Sequence, residues 1–257
     1  MAVDYDLGEQ VAVVTGAGAG LGLAFATALS EAGAIVILAE VDSGKGYPAE
    51  QGLQQRGLKA HYLPLDVCQY EQVHQVAHQV VESWGRLDIW INNAGVALHG
   101  PSESLSLDRW QKSIDIMLSG TFFGCQAAGQ VMIPQGYGTI INIASVNGLV
   151  AQAGRAAYCA AKAGVIRLTE VLSAEWAAYG VRVNAIAPSV VLTDLARSTI
   201  GSGLATLEEY TERTPARRLG EIDELVYTLL YLASNQASYV TGQTLLVDGG
   251  WVSDHYL

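Results

Sequence analysis

From residue 11 the chain reads Val11-Ala12-Val13-Val14-Thr15-Gly16-Ala17-Gly18-Ala19-Gly20-Leu21-Gly22, an apolar run followed at once by a glycine-rich turn. A helical pattern continues to Ala32 and stops at Gly33. Glycines between a strand and a helix leave bare backbone N–H groups at the helix N-terminus, where a pyrophosphate can bind. The predicted phosphate contacts are Gly16, Ala19, Gly20, Leu21 and Gly22. A tight turn without a ligand is the alternative.

Short apolar runs alternate with helical patterns along the rest of the chain. Further strands are predicted at 35–39, 60–63, 89–91, 139–144, 181–187 and 244–247, and helices at 45–56, 70–84, 107–132, 157–179 and 222–233. Such alternation with right-handed crossovers gives a parallel sheet covered by helices on both faces. We predict one doubly wound α/β domain over residues 1–257, because no break in composition indicates a linker.

Glu40 stands at the end of the second predicted strand. A carboxylate there normally accepts hydrogen bonds from the adenosine ribose, and it repels a 2′-phosphate. Ala19 and Val41, where a compensating cation could stand, are uncharged. The pattern favours NAD (NADH) as the cofactor over NADP. A solvated glutamate at a strand end is the alternative.

Tyr158 and Lys162 are four residues apart and share one face of a predicted helix, and Ser145 stands upstream at a strand end. A phenol with a pKa of about 10 is a weak acid/base at neutral pH, and a neighbouring ammonium stabilises its phenolate. The Ser145 hydroxyl can hold a substrate oxygen as charge develops. These three residues are the predicted catalytic set, with Tyr158 as general acid/base, although a Tyr–Lys pair at this spacing also arises by chance.

The composition and charge of the chain disfavour several classes of partner and site. The chain has 257 residues, half of them hydrophobic, and a net charge of −11 with a pI of about 4.8. An acidic surface disfavours nucleic acid and anionic membranes as partners. Three widely spaced cysteines without a CxxC pair predict neither disulfides nor a metal site. Because no signal peptide and no apolar run of about 18 residues is evident, we predict a cytoplasmic protein that acts on a small molecule.

From about residue 8 to residue 251 the chain resembles the short-chain dehydrogenase/reductase family. The resemblance lies in the order and spacing of the motifs above together with further ones. They are Thr15-Gly16-x-x-x-Gly20-x-Gly22, Leu65-Asp66-Val67, Asn92-Asn93-Ala94-Gly95, Ser145, Tyr158-x-x-x-Lys162, Val183-Asn184-Ala185-Ile186-Ala187-Pro188, Thr241-Gly242 and Asp248-Gly249-Gly250. The resemblance implies a Rossmann-type fold with a seven-stranded parallel sheet. It also implies an NAD-dependent enzyme that interconverts a secondary alcohol and a ketone, assembled as a homotetramer through its two long helices.

The same resemblance implies roles for single residues. Tyr158 exchanges the proton, Ser145 orients the substrate, and Lys162 lowers the tyrosine pKa and bonds the nicotinamide ribose. Further cofactor contacts are implied for Asp66 and Val67 at the adenine, for Asn93, Ala94 and Gly95 along the cofactor, and for Pro188, Val191 and Thr193 at the carboxamide end.

Met117 departs from the family pattern, which has an asparagine in this segment of the long helix. In the family that position holds a water that connects the lysine to solvent, and a thioether is a weak hydrogen-bond acceptor. The backbone carbonyl of Met117 can still hold the water, so we expect a working but altered proton relay. The alternative is a nucleotide-binding regulatory protein with a catalytically impaired site.

Residues 189–214 are predicted to form a flap over the substrate. The predicted substrate contacts are Val96, Val146, Asn147, Gln152, Leu192 and Leu195. The apolar members favour an alcohol or ketone with a hydrophobic or cyclic body, whereas the two amides can bond hydroxyl groups and leave a sugar or polyol as the alternative. A substrate carried on acyl carrier protein is disfavoured, because that acidic partner needs basic docking residues.

Overall fold

A seven-stranded parallel sheet forms the centre of the computed structural model, which describes residues 5–192 and 206–254. The strands are β1 (Val11–Thr15), β2 (Ile35–Glu40), β3 (Ala60–Pro64), β4 (Ile89–Asn92), β5 (Gly138–Ile143), β6 (Val181–Pro188) and β7 (Thr244–Val247). They lie in the order β3-β2-β1-β4-β5-β6-β7, and every pairing is parallel. The predicted fold class and its seven strands are confirmed, with each strand end within one residue of its predicted position.

Helices cover both faces of this sheet. In the described part of the chain they are α1 (Gly20–Glu31), α2 (Ser43–Gln55), α3 (Tyr70–Trp84), α4 (Leu107–Ile114), α5 (Gly120–Gln135), α6 (Ala156–Trp176), α7 (Leu207–Arg213) and α8 (Ile222–Ala233). On one face, Phe25 of α1 and Leu229 of α8 pack into the same apolar cluster. On the other face, Val73 of α3 and Met132 of α5 do so. Burial on both faces explains why the central strands are almost wholly apolar.

The long helix predicted over 107–132 is divided by a π-helical turn at Asp115–Ser119. The backbone N–H of Gly120 donates to the carbonyl of Asp115, five residues earlier, which is the hydrogen bond that defines such a turn. Helical backbone geometry continues through it from α4 into α5. Apolar periodicity did not reveal this turn, because one extra residue shifts the pattern too little to be seen over a few turns.

The continuous helix from Leu107 to Gln135 is long and apolar enough to cross a membrane, by length and composition alone. The sequence predicts no such segment, because none of its uninterrupted apolar runs reaches about 18 residues. Half of the most apolar stretch of this helix is buried within the protein, and the core helix of a globular domain meets the same criterion. The helix is therefore weak evidence for a membrane span.

The topology places one crevice at the carboxyl edge of the sheet. β1 lies between β2 and β4, so the strand order reverses at this point. In open parallel sheets, ligands bind beyond the carboxyl ends of the strands where the order reverses. The glycine-rich turn after β1, Glu40 at the end of β2 and Asn93 just after β4 all meet there.

Candidate active site

The glycine-rich turn after β1 opens into a cavity in this crevice. Gly16 and Gly20 have φ angles of +65° and +55°, a left-handed backbone that favours glycine. A Cβ on Gly20 would meet no atom within 4 Å, whereas one on Gly22 would lie 2.1 Å from the carbonyl oxygen of Gly16. Ala19, the N-cap of α1, has no side chain that bonds the first N–H groups of the helix. These groups therefore suit a phosphate.

Thr15 and Asn93 tie the loops after β1 and β4 together. The Thr15 hydroxyl oxygen accepts hydrogen bonds from the backbone N–H groups of Asn93 (3.0 Å) and Ala94 (3.1 Å). The Asn93 side-chain amide donates in return to the carbonyl oxygen of Thr15 at 2.9 Å. Asn93 and Ala94 also line the cavity, so this cross-link fixes two of its walls relative to each other.

Glu40 is buried against the glycine-rich turn. Its carboxylate accepts hydrogen bonds from the backbone N–H groups of Gly18 at 3.0 Å and Asp42 at 3.1 Å. Lys45, which no sequence pattern indicated, lines the same end of the cavity, and its Nζ lies 3.6 Å from Oδ2 of Asp42. This end therefore presents a fixed carboxylate together with a cation that already has an acidic neighbour.

The three predicted catalytic residues lie at the other end of the cavity. Ser145 follows β5, where its hydroxyl oxygen accepts a hydrogen bond from the backbone N–H of Asn147 at 3.1 Å. Tyr158 and Lys162 occupy successive turns of α6, and Nζ of Lys162 lies 5.8 Å from the centre of the Tyr158 ring. The buried Nζ also donates to the carbonyl oxygen of Ile143 at 2.6 Å.

Burial controls the proton affinity of this set. It raises the pKa of Tyr158, while hydrogen bonding to Ser145 and the positive charge of Arg155 lower that pKa. Burial also lowers the pKa of Lys162 to about 8. The sequence predicts that the lysine lowers the tyrosine pKa. In the structure desolvation outweighs the favourable contacts, and the ammonium is bonded to Ile143.

Met117 lies in the π-helical turn, fully buried, and contributes to the cavity wall. Its carbonyl oxygen accepts a hydrogen bond from the Thr121 hydroxyl at 2.8 Å. The carbonyl on which the predicted relay depends therefore already has a side-chain partner.

The predicted substrate contacts are only partly assembled in the described residues. Val96, Val146, Asn147 and Gln152 line the cavity beside the catalytic residues. Leu192 is 41% exposed and is not among the lining residues. Leu195 and Thr193 lie outside the described residues, as does half of the predicted flap.

Several lining residues at this end were not identified from the sequence. Arg155 precedes Tyr158 by three residues, a spacing that could have indicated it. Tyr210 and Trp251 are brought in from α7 and from the segment after β7. No local pattern connects these two aromatic residues to the site, because only the folded chain brings them there.

A single cavity of about 590 Å³ joins both ends. The predicted residues that line it are Gly16, Ala19, Gly20, Leu21, Gly22, Glu40, Asp66, Val67, Asn93, Ala94, Gly95, Val96, Ser145, Val146, Asn147, Gln152, Tyr158, Lys162, Pro188 and Val191. The space left open at Gly20, the buried Glu40 carboxylate and the volume fit a nicotinamide dinucleotide with room for a small substrate.

The chain matches over residues 16–252 a family model described as enoyl-(acyl carrier protein) reductase. It is 37% identical to an NAD-dependent glycerol dehydrogenase of Listeria innocua, with 96% of each chain covered. It is 39% identical to a D-threitol dehydrogenase of Mycolicibacterium smegmatis, with 98% of this chain and 96% of that protein covered.

Solved structures agree with these matches. A gluconate 5-dehydrogenase from Burkholderia cenocepacia, crystallised with NADP and tartrate, superposes with a TM-score of 0.93. It is 34% identical, and the comparison covers 98% of both chains. These matches extend over nearly the whole chain. With its glycine turn and its Ser–Tyr–Lys set in one cavity, the chain belongs to the short-chain dehydrogenase/reductase family.

Proposed function

We propose that the protein is an NAD-dependent oxidoreductase that interconverts a secondary alcohol and a ketone in a small polyhydroxylated compound. The observation that carries this proposal is one continuous cavity, with the dinucleotide cradle at one end and Ser145, Tyr158 and Lys162 at the other. The named relatives act on glycerol, D-threitol and gluconate, which supports the polyol alternative over a hydrophobic or cyclic substrate.

The side chains at the substrate end support the same choice. Asn147, Gln152, Arg155 and Tyr210 give this end several hydrogen-bonding groups, which match hydroxyl groups better than a hydrocarbon body does.

Tyr158 is assigned the proton transfer. In the oxidative direction its phenolate oxygen takes the proton of the substrate hydroxyl, and in the reductive direction it returns that proton to the carbonyl oxygen. Ser145 donates a hydrogen bond to the same substrate oxygen as charge develops on it. The charge of the Lys162 ammonium would favour the phenolate against the burial that raises the Tyr158 pKa. A bound nicotinamide would accept or supply the hydride.

NAD is the proposed cofactor because the Glu40 carboxylate is fixed where the adenosine ribose would lie. The glycerol dehydrogenase relative is named as NAD-dependent, whereas the gluconate 5-dehydrogenase structure contains NADP. We further propose a cytoplasmic homotetramer that binds neither nucleic acid nor membranes and holds no metal.

The test is cofactor reduction by the purified protein with a panel of glycerol, threitol, sorbitol, gluconate and simple secondary alcohols, with NAD⁺ and NADP⁺ in parallel. We expect turnover with at least one polyhydroxylated compound. If NADH binds tightly but no alcohol or ketone is turned over, the protein is the nucleotide-binding regulatory alternative that Met117 suggests.

A further inference from the structure

Arg155 is a cation at the substrate end of the cavity. Its charge lowers the pKa of Tyr158, but proton and hydride transfer leave its hydrogen-bonding groups without a role. It is the N-cap residue of α6, three residues before Tyr158, and both side chains line the cavity. Its Nη2 donates to the Tyr210 hydroxyl oxygen at 2.7 Å. Its Nε is buried and has no hydrogen-bond partner.

No acidic side chain balances Arg155 in the described part of the cavity wall. Glu40 and Asp66, the acidic residues of that wall, belong to the end beneath the glycine-rich turn. The ion pairs formed within 5–192 and 206–254 do not include Arg155. Burial and the charge of Arg155 together lower the pKa of His99 to about 4, so the neighbouring imidazole is neutral at pH 7 and adds no second cation.

Neighbouring side chains hold the guanidinium in place. The Tyr210 hydroxyl oxygen accepts from Arg155 and also from Nε2 of Gln152 at 3.3 Å, which leaves its own proton free to donate. Nδ2 of Asn147 donates to Oε1 of Gln152 at 3.3 Å. A buried N–H without an acceptor is unfavourable until a ligand supplies one. A carboxylate, which can accept two parallel bonds from arginine, meets this need best.

We propose that Arg155 binds a carboxylate of the substrate, so that the substrate is a polyhydroxylated acid and its keto acid, and not a neutral polyol. The inference rests on the proposed function. Arg155 and Tyr158 line the same end of the cavity, so one small substrate can reach both side chains.

Matched substrates test this directly. Gluconate is compared with sorbitol, threonate with threitol, and glycerate with glycerol, by kcat/KM for NADH formation. We expect the acid of at least one pair to exceed its polyol tenfold or more in the wild type. Arg155→Gln should lower that acid-to-polyol ratio by about 30-fold or more, as expected when one partner of a buried charged pair is removed. Arg155→Lys should restore part of it.

Arg109→Gln is the control. Arg109 is a nearby exposed cation that donates to the carbonyl oxygen of His99 and does not line the cavity. If Arg155 contacts the carboxylate, the ratio in Arg109→Gln stays within about threefold of the wild type. An equal loss in both variants, or a wild type without preference for any acid, would overturn the proposal.

A binding measurement separates this inference from the proposed function. Calorimetric titration of the enzyme–NADH complex with gluconate and with threonate needs no turnover. We expect at least one acid to bind, and Arg155→Gln to weaken its binding tenfold or more while Arg109→Gln does not. Absence of turnover with every alcohol would refute the proposed function, yet this titration would still decide the carboxylate site. Failure of both acids to bind, or binding that Arg155→Gln leaves unchanged, would refute the site.

Discussion

The proposed role of Tyr158 uses a single proton-exchanging atom, and the rest of its side chain packs in the site. Its ring meets the His99 ring nearly edge-on, with centres 5.7 Å apart, and Tyr158→Phe keeps that contact. We expect kcat to fall by about 10²–10⁴-fold, because only the acid/base oxygen is removed. NADH binding, followed by fluorescence titration, should remain close to that of the wild type. Retention of more than about a tenth of the turnover would contradict the role of Tyr158.

Lys162 makes stability depend on pH in a defined window. Burial lowers its pKa from 10.5 to about 8. Between these values the unfolded chain binds more protons than the folded chain, so the contribution of this lysine to the free energy of unfolding rises with pH. Below pH 8 the lysine is charged in both the folded and the unfolded chain, so the cost of burying its charge lowers the free energy of unfolding in full.

Lys162→Met removes this titration. The free energy of unfolding of the variant minus that of the wild type should therefore decrease by about 3 kcal/mol between pH 8 and 10.5. Urea unfolding of both proteins at several pH values measures it, and subtraction cancels the titration of the other groups. A difference that stays constant over this range would show that Lys162 does not titrate near pH 8.

Glu40 is expected to set the cofactor preference. Its carboxylate is held by two backbone N–H groups and cannot easily move away from a 2′-phosphate. We expect kcat/KM to favour NAD⁺ over NADP⁺ by about tenfold or more, since like charges at close range cost several kcal/mol. Glu40→Gln should raise kcat/KM for NADP⁺, and Lys45→Gln should lower it, because Lys45 is the cation on that wall. A wild type that prefers NADP⁺ would refute the assignment.

At the level of elements, the π-helical turn decides where Met117 lies. Turns of this kind occur often at functional sites, and here the turn places a buried side chain in the cavity wall. The Thr121 hydroxyl bonds the Met117 carbonyl and stabilises the local geometry whatever side chain stands at 117. The predicted relay would therefore use the backbone of this element and not the thioether.

Met117→Asn should keep activity within about threefold of the wild type or raise it, because it adds a side-chain partner for the relay water. Met117→Leu, which retains an apolar side chain of similar size, is the matched control. The measurements are the pH–rate profile and the melting temperature of all three proteins. If the amide finds no partner, its burial costs about 1–3 kcal/mol. Loss of both activity and stability in Met117→Asn alone would then show that Met117 serves only as packing.

At the scale of the whole molecule, the long helices leave apolar side chains in solvent. Trp110 of α4, Phe122 of α5 and Val171 of α6 are 37%, 38% and 53% exposed in the isolated chain. Exposed apolar groups gathered on neighbouring helices are typical of surfaces that a second copy covers.

We therefore expect analytical ultracentrifugation to give a mass about four times the 27.2 kDa of the chain. Val171→Glu should shift the protein towards smaller species, because it introduces a charge into the covered surface. Leu207→Glu, at a similarly exposed position on α7, should leave the assembly intact. A monomeric wild type would contradict the tetramer.

The sequence by itself determined the features that depend on neighbours along the chain. The Val11–Val14 run with its glycine turn predicted the first strand and the phosphate cradle, because the φ angles of Gly16 and Gly20 are local demands. The spacing of Tyr158 and Lys162 placed both on one face of α6, since helix geometry relates residues four apart. Alternating strand and helix patterns predicted the parallel sheet, because each pattern is set by residues close together in the chain.

Only the tertiary structure decided the substrate end and the proton balance. Tyr210 meets Arg155 across 55 residues of chain, and Lys162 meets the Ile143 carbonyl across 19. Such contacts depend on how separate elements pack, and packing leaves no periodic trace in the sequence. The direction of the Tyr158 pKa was likewise decided by burial, which is a property of all surrounding atoms together.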